Sequence, residues 1–256
     1  MKRSQIAAQL YTVRDFLKTP EDIQASLKKV ADIGYQAVQI SGMGPIPEAD
    51  LVAMCKDLGL VICATHEPSD TVLDNPQAVV DRLAKLECRY TAYPFPRGID
   101  FADQACVDNL VAKLDAAGAL LRANGQVLTY HNHANEFVKM ANGQTALEYI
   151  YAHTKAENLQ AELDLHWVQR GGGNPASWVK KYSGRQPLIH LKDFTVDAKG
   201  TPFFAEIGNG TLEWDEILPT ADAAGVEWFI VEQDVCPGDP FESLAISFAY
   251  LSKRAS

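Results

Sequence analysis

The chain has 256 residues, of which 47% are hydrophobic and 22% are charged. This length suits one large α/β domain or two small ones, and the apolar content excludes a disordered chain because it can bury a sizeable core. The net charge of −10 disfavours nucleic acid and anionic membranes as partners, because their phosphates would be repelled.

Short β-rich runs alternate with longer runs of helical spacing along the whole chain. Eight strands are predicted, at 5–11, 35–40, 60–66, 89–93, 126–133, 159–165, 187–191 and 227–233. Each is followed by a predicted helix, at 20–33, 47–58, 75–86, 103–123, 145–153, 175–182, 214–224 and 240–251. Proline near the start and glycine after the end delimit these helices, as Pro20 and Gly34 do for the first.

Eight strand and helix pairs without a linker predict a single α/β domain over residues 1–256, a (β/α)8 or TIM barrel. An open doubly wound sheet would carry a glycine-rich phosphate turn after its first strand, and residues 10–14 contain no glycine. The later glycine clusters at 171–173 and 208–210 precede no P-loop lysine, and mobile turns are the simpler interpretation.

Cysteine content and hydropathy indicate the compartment. The five cysteines are scattered and include no CxxC pair, which favours a reducing environment over a disulfide framework. The longest stretch without Asp, Glu, Lys or Arg, 123–135, is too short to span a bilayer. Gln5 and Gln9 interrupt the apolar stretch that a signal peptide would need. We therefore expect a cytoplasmic protein that does not enter membranes.

Imidazole and carboxylate groups collect at the predicted carboxyl ends of the strands, where the functional residues of such barrels lie. They are His66 and Glu67 on the third strand, His131, His133 and Glu136 on or after the fifth, Glu162, Asp164 and His166 on the sixth, His190, Lys192 and Asp193 on the seventh, and Glu232 and Asp234 on the eighth. Of the six histidines only His153 lies elsewhere. Alternate residues on a strand point the same way, so one member of each i, i+2 pair is expected to reach the barrel axis.

This mixture of nitrogen and oxygen ligands suits Mn²⁺, Mg²⁺, Co²⁺ or Zn²⁺. Without a cation, so many acids at one rim would repel each other and raise their pKa values. Helix capping or pairing with Arg or Lys is an equal alternative for any single residue. For four neighbouring strands together, a divalent ion is the simpler explanation.

Six motifs resemble, in their joint order and spacing, those of the xylose isomerase-like TIM-barrel superfamily. They are YHNH at 130–133, EF at 136–137, LDLHW at 163–167, HLKD at 190–193, GNG at 208–210 and EQD at 232–234. The resemblance covers nearly the whole chain. It implies a metal-dependent sugar isomerase or epimerase. The divalent ion, preferably Mn²⁺, would be held by Asp164, His190 and Glu232.

The strand-five ligand departs from this pattern. Ketose epimerases of the superfamily place a glutamate inside this strand, where the chain has Tyr130 and His131. Either Glu136 folds back to the metal or His131 replaces the carboxylate, and Glu136 is the preferred ligand. The missing glutamate also puts the two-glutamate epimerase scheme in doubt.

The expected chemistry is removal of a proton next to a sugar carbonyl that the metal polarises. Glu232 or a histidine would be the base, and His131 and His133 would transfer a proton to a second carbon or a leaving oxygen, since unperturbed histidines titrate near neutrality. Lys192 is placed to stabilise an oxyanion, with an ion pair to Asp193 or another acid as the alternative. The candidate substrate-binding residues are His66, His166 and Trp167.

Three alternatives stay open. His-x-His on strand five is similar to superfamily members that dehydrate inosose or eliminate from 3-keto-glycosides, which would make the protein a lyase. A non-catalytic sugar-binding barrel or subunit is the second. An endonuclease IV-like DNA repair enzyme is the third, and the acidic charge and the few ligands on the early strands argue against it. The expected partner is a small sugar or keto-sugar, and the resemblance allows a homo-oligomer.

Overall fold

Eight parallel strands close into a barrel in the computed structural model, which describes residues 1–256. The barrel strands are β1 (Ile6–Gln9), β2 (Ala37–Ile40), β3 (Val61–His66), β4 (Tyr90–Tyr93), β5 (Val127–His131), β6 (Leu159–Asp164), β7 (Leu188–Leu191) and β10 (Trp228–Val231). A separate antiparallel hairpin is formed by β8 (Asp193–Val196) and β9 (Pro202–Ala205). Neighbouring barrel strands follow the chain order, and β10 pairs with β1 to complete the ring.

Ten α-helices connect and surround the strands. They are α1 (Pro20–Ile33), α2 (Glu48–Asp57), α3 (Ser69–Asp74), α4 (Pro76–Lys85), α5 (Gln104–Ala123), α6 (Ala146–His153), α7 (Leu165–Arg170), α8 (Pro175–Lys181), α9 (Trp214–Ala223) and α10 (Pro240–Ser252). The first helix shows the local rules: Thr19 caps it, and Gly34 ends it in the left-handed conformation. None of the helices is long and apolar enough to cross a membrane.

The predicted barrel is confirmed, and each predicted strand overlaps one barrel strand. Several boundaries differ by one to two residues, and two of the strands show why. The first strand is shorter than predicted because 3₁₀ turns occupy residues 3–5 and 10–16. The sixth ends at Asp164, because this side chain accepts the backbone N–H of Trp167 at 3.0 Å and caps α7. As a result His166 and Trp167 lie on a helix and not on a strand.

The barrel interior is apolar towards the amino ends of the strands and polar towards their carboxyl ends. A cluster of small and medium side chains lines its lower part, made of Ala7, Ala37, Cys63, Ala64, Tyr90, Leu188 and Ile230. The Tyr90 hydroxyl reaches Glu227, which precedes β10, so this layer lies towards the amino ends of the strands. The larger hydrophobic core packs the strands against the helices. The buried charged groups of the barrel, such as Glu162, Asp164 and Glu232, lie towards the carboxyl ends of the strands.

The loop between β9 and α9 is organised by a single carboxylate, that of Asp193. Its two oxygens accept five N–H groups at 2.6–3.2 Å, from Phe194, Gly208, Gly210, Leu212 and the Trp214 indole. A Cβ atom on Gly210 would overlap this carboxylate. The glycine cluster at 208–210 is thus a hydrogen-bonded anion cradle and not a free turn.

The connection between α4 and β4 contains the one non-glycine residue with a positive φ, Glu87 at 52°. Its backbone N–H still bonds the Ala84 carbonyl, and the next N–H, of Cys88, bonds the Leu83 carbonyl. The exposed side chain pairs with Lys56 at 2.7 Å. Glutamate here adopts a conformation that glycine and asparagine adopt more readily.

Candidate active site

A cavity of about 700 Å³ opens at the carboxyl ends of the barrel strands. The polar groups at its floor come from four strands or the residues just after them: His66, His131, His133, Lys192, Glu232 and Asp234. Tyr11, Arg14 and Arg97 lie at its mouth. The structure therefore brings predicted rim residues from strands three, five, seven and eight into the lining of one cavity, but not Glu136, His190 or Asp193.

Four of the predicted rim residues can share a metal ion. His131, Asp164, His190 and Glu232, here called the outer cluster, each offer one ligand atom, and these atoms lie within 4.8 Å of one another. The Nδ1 atom of His190 lies 2.9 Å from Glu232 Oε2, and His131 Nε2 lies 3.9 Å from Asp164 Oδ2. All four residues are buried.

Lys192 lies against the same carboxylates. Its buried Nζ is 3.0 Å from Asp164 Oδ2, 2.8 Å from Glu232 Oε2 and 3.2 Å from Asp234 Oδ1. Burial opposes the charge, but the carboxylates of Asp164 and Glu232 raise the pKa of Lys192 above its usual range. Lys192 is thus a fixed ammonium at the cavity floor, and it pairs with these acids and not with Asp193.

The outer cluster is strongly polarised. Although burial opposes it, Glu162 and Glu232 together raise the pKa of His190 to about 10. Lys192 and His190 outweigh the burial of Glu232 and hold its pKa well below the usual range. Burial raises the pKa of Asp164 to about 6. Glu232 is therefore the most firmly ionised acid of the outer cluster.

The residues present fit a divalent ion. One oxygen of Asp164 caps α7, while Oδ2 is buried without a hydrogen bond of good geometry. Four carboxylates, of Glu162, Asp164, Glu232 and Asp234, face one ammonium and one imidazolium, which leaves two negative charges. Two nitrogens and two oxygens form a mixed ligand set suited to Mn²⁺, Co²⁺ or Zn²⁺, and Mg²⁺ would favour more oxygen.

A second group lies deeper in the barrel. His66, His131, His190 and Glu162, here called the inner cluster, converge on the carboxylate of Glu162. Oxygen Oε1 of Glu162 lies 2.6 Å from His66 Nε2, 3.2 Å from His131 Nδ1 and 3.1 Å from His190 Nε2. Both members of the pair Glu162 and Asp164 reach the interior, one layer above the other, where we had expected one of them.

The two strand-five histidines are neutral. Burial, with the neighbouring His190, lowers the pKa of His131 well below its usual range. Burial and Lys192 lower the pKa of His133 to about 3. Our expectation of unperturbed values near neutrality is therefore wrong, because desolvation disfavours the imidazolium form. Nδ1 of His133 has no hydrogen-bond partner and is free to accept a substrate hydroxyl.

Glu136 belongs to neither cluster. Its buried carboxylate accepts the Tyr130 hydroxyl at 3.1 Å and the backbone N–H of His133 at 2.9 Å. Burial raises its pKa to about 7. The structure thus places His131, and not the preferred Glu136, beside Asp164, His190 and Glu232.

The three predicted substrate-binding residues have different surroundings. Trp167 lies beside the floor, with Lys192 Nζ 5.7 Å and the His133 ring 5.7 Å from its own ring. His66 faces the cavity, but Nε2 contacts Glu162 and Nδ1 lies 3.5 Å from Gln9 Nε2. His166 stacks on Phe204 at 4.7 Å and lines a neighbouring cavity of about 350 Å³.

Two polar residues of the site, Gln9 and Gln39, were not singled out from the sequence. Both lie inside the barrel and are fully buried. A signal existed for the glutamines, since each is the polar residue of an otherwise apolar strand, AVQI for β2 and IAAQ for β1. Asp234 was noted at a strand end and proves to be the third carboxylate partner of Lys192.

Sequence comparison gives the family. A family model described as xylose isomerase-like TIM barrel matches residues 27–252. The chain belongs to this family. A comparison of this xylose isomerase-like barrel with curated protein sequences finds no match.

Solved structures share the fold of this xylose isomerase-like barrel. A sugar phosphate isomerase/epimerase from Parabacteroides distasonis has a TM-score of 0.84 at 22% identity, over 98% of this chain and 94% of that chain. An L-ribulose 3-epimerase has a TM-score of 0.77 at 12% identity, over 98% and 94%. A xylose isomerase-like TIM barrel protein from Mycobacterium smegmatis, in complex with magnesium, has 0.77 at 15%, over 99% and 97%. At these identities the likeness shows the fold alone.

Proposed function

We propose that this protein is a divalent-metal-dependent enzyme that removes the proton next to the carbonyl of a small sugar or keto-sugar, as an isomerase or epimerase. The observation that carries this proposal is the outer cluster, in which His131 and Glu232 line the 700 Å³ cavity and Asp164 and His190 lie next to them. Structural neighbours described as a sugar phosphate isomerase/epimerase and an L-ribulose 3-epimerase support it.

The ion would be held by the outer cluster, through Nε2 of His131, Oδ2 of Asp164, Nδ1 of His190 and Oε2 of Glu232. Mn²⁺ is our first choice, and Mg²⁺, Co²⁺ or Zn²⁺ are alternatives; the neighbour from M. smegmatis is a magnesium complex. When bound, a divalent ion supplies Lewis-acid polarisation of a substrate carbonyl.

Glu232 is our candidate for the base. Lys192 and His190 keep its carboxylate ionised, so it can accept a proton at neutral pH. Its Oε2 lies 2.8 Å from Lys192 Nζ, so a proton donor and a proton acceptor stand side by side at the cavity floor. The Lys192 ammonium would donate hydrogen bonds to the substrate oxygen on which negative charge develops.

His133 and Trp167 would hold the substrate. His133 is neutral and its Nδ1 has no partner in the protein, so this atom would accept a hydrogen bond from a sugar hydroxyl. The Trp167 ring would form the apolar wall beside the sugar. The polar cavity and the net charge of −10 both favour a small neutral or hydroxyl-rich substrate over nucleic acid.

A lyase is the second candidate, and one observation favours it. The strand-five member of the outer cluster is His131, so Glu232 has no second glutamate opposite it there. Epimerisation by two symmetrical glutamates lacks one partner, whereas elimination needs one base and one proton donor to the leaving oxygen. Glu232 would take the proton next to the carbonyl, and Lys192 would donate a proton to the leaving oxygen as its bond to carbon breaks.

The test follows solvent deuterium by NMR during incubation in D₂O. The protein would first be loaded with Mn²⁺, and the Mn²⁺ would then be exchanged for diamagnetic Mg²⁺ or Zn²⁺ so that NMR detection is possible. This protein would be mixed with ketoses, inosose and 3-keto-glycosides. A sample treated with chelator is the control. We expect metal-dependent exchange at the carbon beside the carbonyl, and the product separates epimerase or isomerase from lyase. Metal binding without exchange on any of these substrates would favour a non-catalytic sugar-binding barrel.

A further inference from the structure

Glu162 is the acceptor on which the hydrogen bonds of the barrel interior converge. Its side chain is completely buried, and Oε1 contacts one nitrogen each of His66, His131 and His190. The other oxygen, Oε2, accepts Gln39 Nε2 at 2.7 Å. A carboxylate whose two oxygens face three ring nitrogens and an amide N–H acts as the acceptor, so these partners donate.

The direction of the bonds is set by two glutamines as well. Gln39 donates its amide N–H to Glu162, so its oxygen is left to accept. That oxygen receives Gln9 Nε2 at 2.8 Å and His190 Nε2 at 2.7 Å. Nε2 of His190 thus faces two acceptors, Glu162 and Gln39, and must carry a hydrogen.

These bonds orient both rings towards the outer cluster. With Nδ1 of His131 donating to Glu162, the opposite nitrogen, Nε2, is the one that faces Asp164. With Nε2 of His190 donating inward, its Nδ1 is the one that faces Glu232. A metal-binding imidazole presents a lone pair on one nitrogen and usually donates its other N–H to a carboxylate or carbonyl.

We propose that Glu162 is the positioning residue that sets the tautomer and ring orientation of His131 and, through Gln39, the ring orientation of His190, and so turns Nε2 of His131 and Nδ1 of His190 towards one divalent ion. This inference rests on the proposed function, because it takes the outer cluster as the metal site. It uses the outward-facing nitrogens of His131 and His190 for the ion and leaves their inward-facing nitrogens hydrogen-bonded to Glu162 and Gln39.

The first test needs no substitution. In the metal-free wild-type protein with ¹⁵N-labelled histidine, long-range ¹H–¹⁵N spectra distinguish the two neutral tautomers, and loss of one signal set in His131→Asn assigns His131. We expect His131 to carry its hydrogen on Nδ1. A hydrogen on Nε2 would overturn the proposal, whether or not the protein binds metal.

The second test compares Mn²⁺ affinities by isothermal titration calorimetry. Glu162→Gln removes the charge at almost the same size, and we expect it to weaken Mn²⁺ binding about 10- to 100-fold. Glu227→Gln is the control, since Glu227 accepts the Tyr90 hydroxyl at the opposite end of the barrel and belongs to neither cluster. It should bind Mn²⁺ like the wild type.

The outcomes separate the two proposals. A folded Glu162→Gln variant with wild-type Mn²⁺ affinity would overturn the role of Glu162 and leave the proposed function intact. A wild-type protein that binds no divalent ion would overturn the proposed function, and the tautomer of His131 would still decide the role of Glu162. Should Glu162→Gln fail to fold, as judged by circular dichroism, the wild-type spectra decide alone.

Discussion

His190 connects the two layers of the site at the scale of single residues. One ring nitrogen faces Glu162 and Gln39, and the other faces Glu232. Removing any of these partners would leave a fully buried donor or acceptor unpaired, which is costly away from water. The roles of His190 and Glu162 in the fold and in the site are therefore coupled.

Asp164→Asn tests the outer cluster. We expect Mn²⁺ affinity to fall by at least about 100-fold, because a charged ligand becomes neutral. The fold should persist, since the amide oxygen of asparagine can still cap α7 in place of Oδ1. Calorimetric titration measures the affinity and circular dichroism the fold; wild-type affinity in this variant would contradict the metal site.

Glu148→Gln tests a charge away from the site. Glu148 accepts Thr145 N–H at 2.8 Å in a capping box and pairs with Lys181. Its slight burial opposes charge, yet Lys181 and Thr145 lower its pKa from 4.5 to about 2. A lowered folded-state pKa stabilises the protein above pH 4.5, and this contribution disappears as the pH falls towards 2.

We therefore expect Glu148→Gln to lower the free energy of unfolding by at most about 1 kcal/mol at pH 7, because the amide oxygen still accepts the Thr145 N–H and only the solvent-screened charge is lost. The difference from wild type should shrink between pH 4.5 and 2. Urea unfolding across this pH range measures it, with the exposed Glu157→Gln as control. A difference that stays constant with pH would contradict the assigned charge.

Much of the site could be predicted from the sequence, because strand ends in a barrel share one rim. That rule placed His131, Asp164, His190 and Glu232 together. It could not show which carboxylate completes the set, since the turn after β5 sends Glu136 back to Tyr130 and His133. Nor could it give the low pKa values of His131 and His133, which depend on burial in three dimensions.

At the scale of elements, the segment after β7 contacts both the cavity and the loop that precedes α9. Lys192 points into the cavity, while Asp193 binds the loop that leads to α9. The hairpin of β8 and β9 lies between Lys192 and this loop in the chain, and it was predicted as part of a long loop. Its strands are short, and β8 and β9 pair only with each other, so the eightfold pattern of the barrel gave no signal for them.

Gly210→Ala tests the carboxylate-bound loop. A Cβ at Gly210 would overlap Asp193, so we expect about 1–3 kcal/mol of destabilisation. In a chain of this size that lowers the melting temperature by about 2–4 °C per kcal/mol. Gly238→Ala is the matched control, because nothing lies near its position and its φ is not positive. Equal melting temperatures for the two variants would show that the loop adapts freely.

At the scale of the whole molecule, the repeat of strand and helix decides the fold. Each predicted pair contributed one barrel strand, and closure needed only the pairing of β1 with β10. The boundaries were less predictable, because the cap at Asp164 and the 3₁₀ turns after Gln9 depend on side-chain hydrogen bonds. The fold thus follows from periodicity, whereas the details follow from local polar contacts.

A bound ion should stabilise the whole barrel, because its ligands come from β5, β6, β7 and the end of β10. With Mn²⁺ at about 100 times its dissociation constant, linkage adds about 2.7 kcal/mol. The melting temperature should then rise by about 5–10 °C, and excess chelator should reverse the rise. Scanning calorimetry measures this, and a similar rise in Asp164→Asn would mean that the ion binds elsewhere.

Glu87 is a position at which a substitution could increase the stability of the protein. Its left-handed backbone costs of order 1 kcal/mol, and glycine or asparagine at this position would relieve it far from the rim. Changes of specificity in enzymes often cost stability, and a protein with a reserve tolerates more of them. Glu87→Gly is therefore a starting point for directed evolution of the cavity, since it would offset the stability that new rim residues lose.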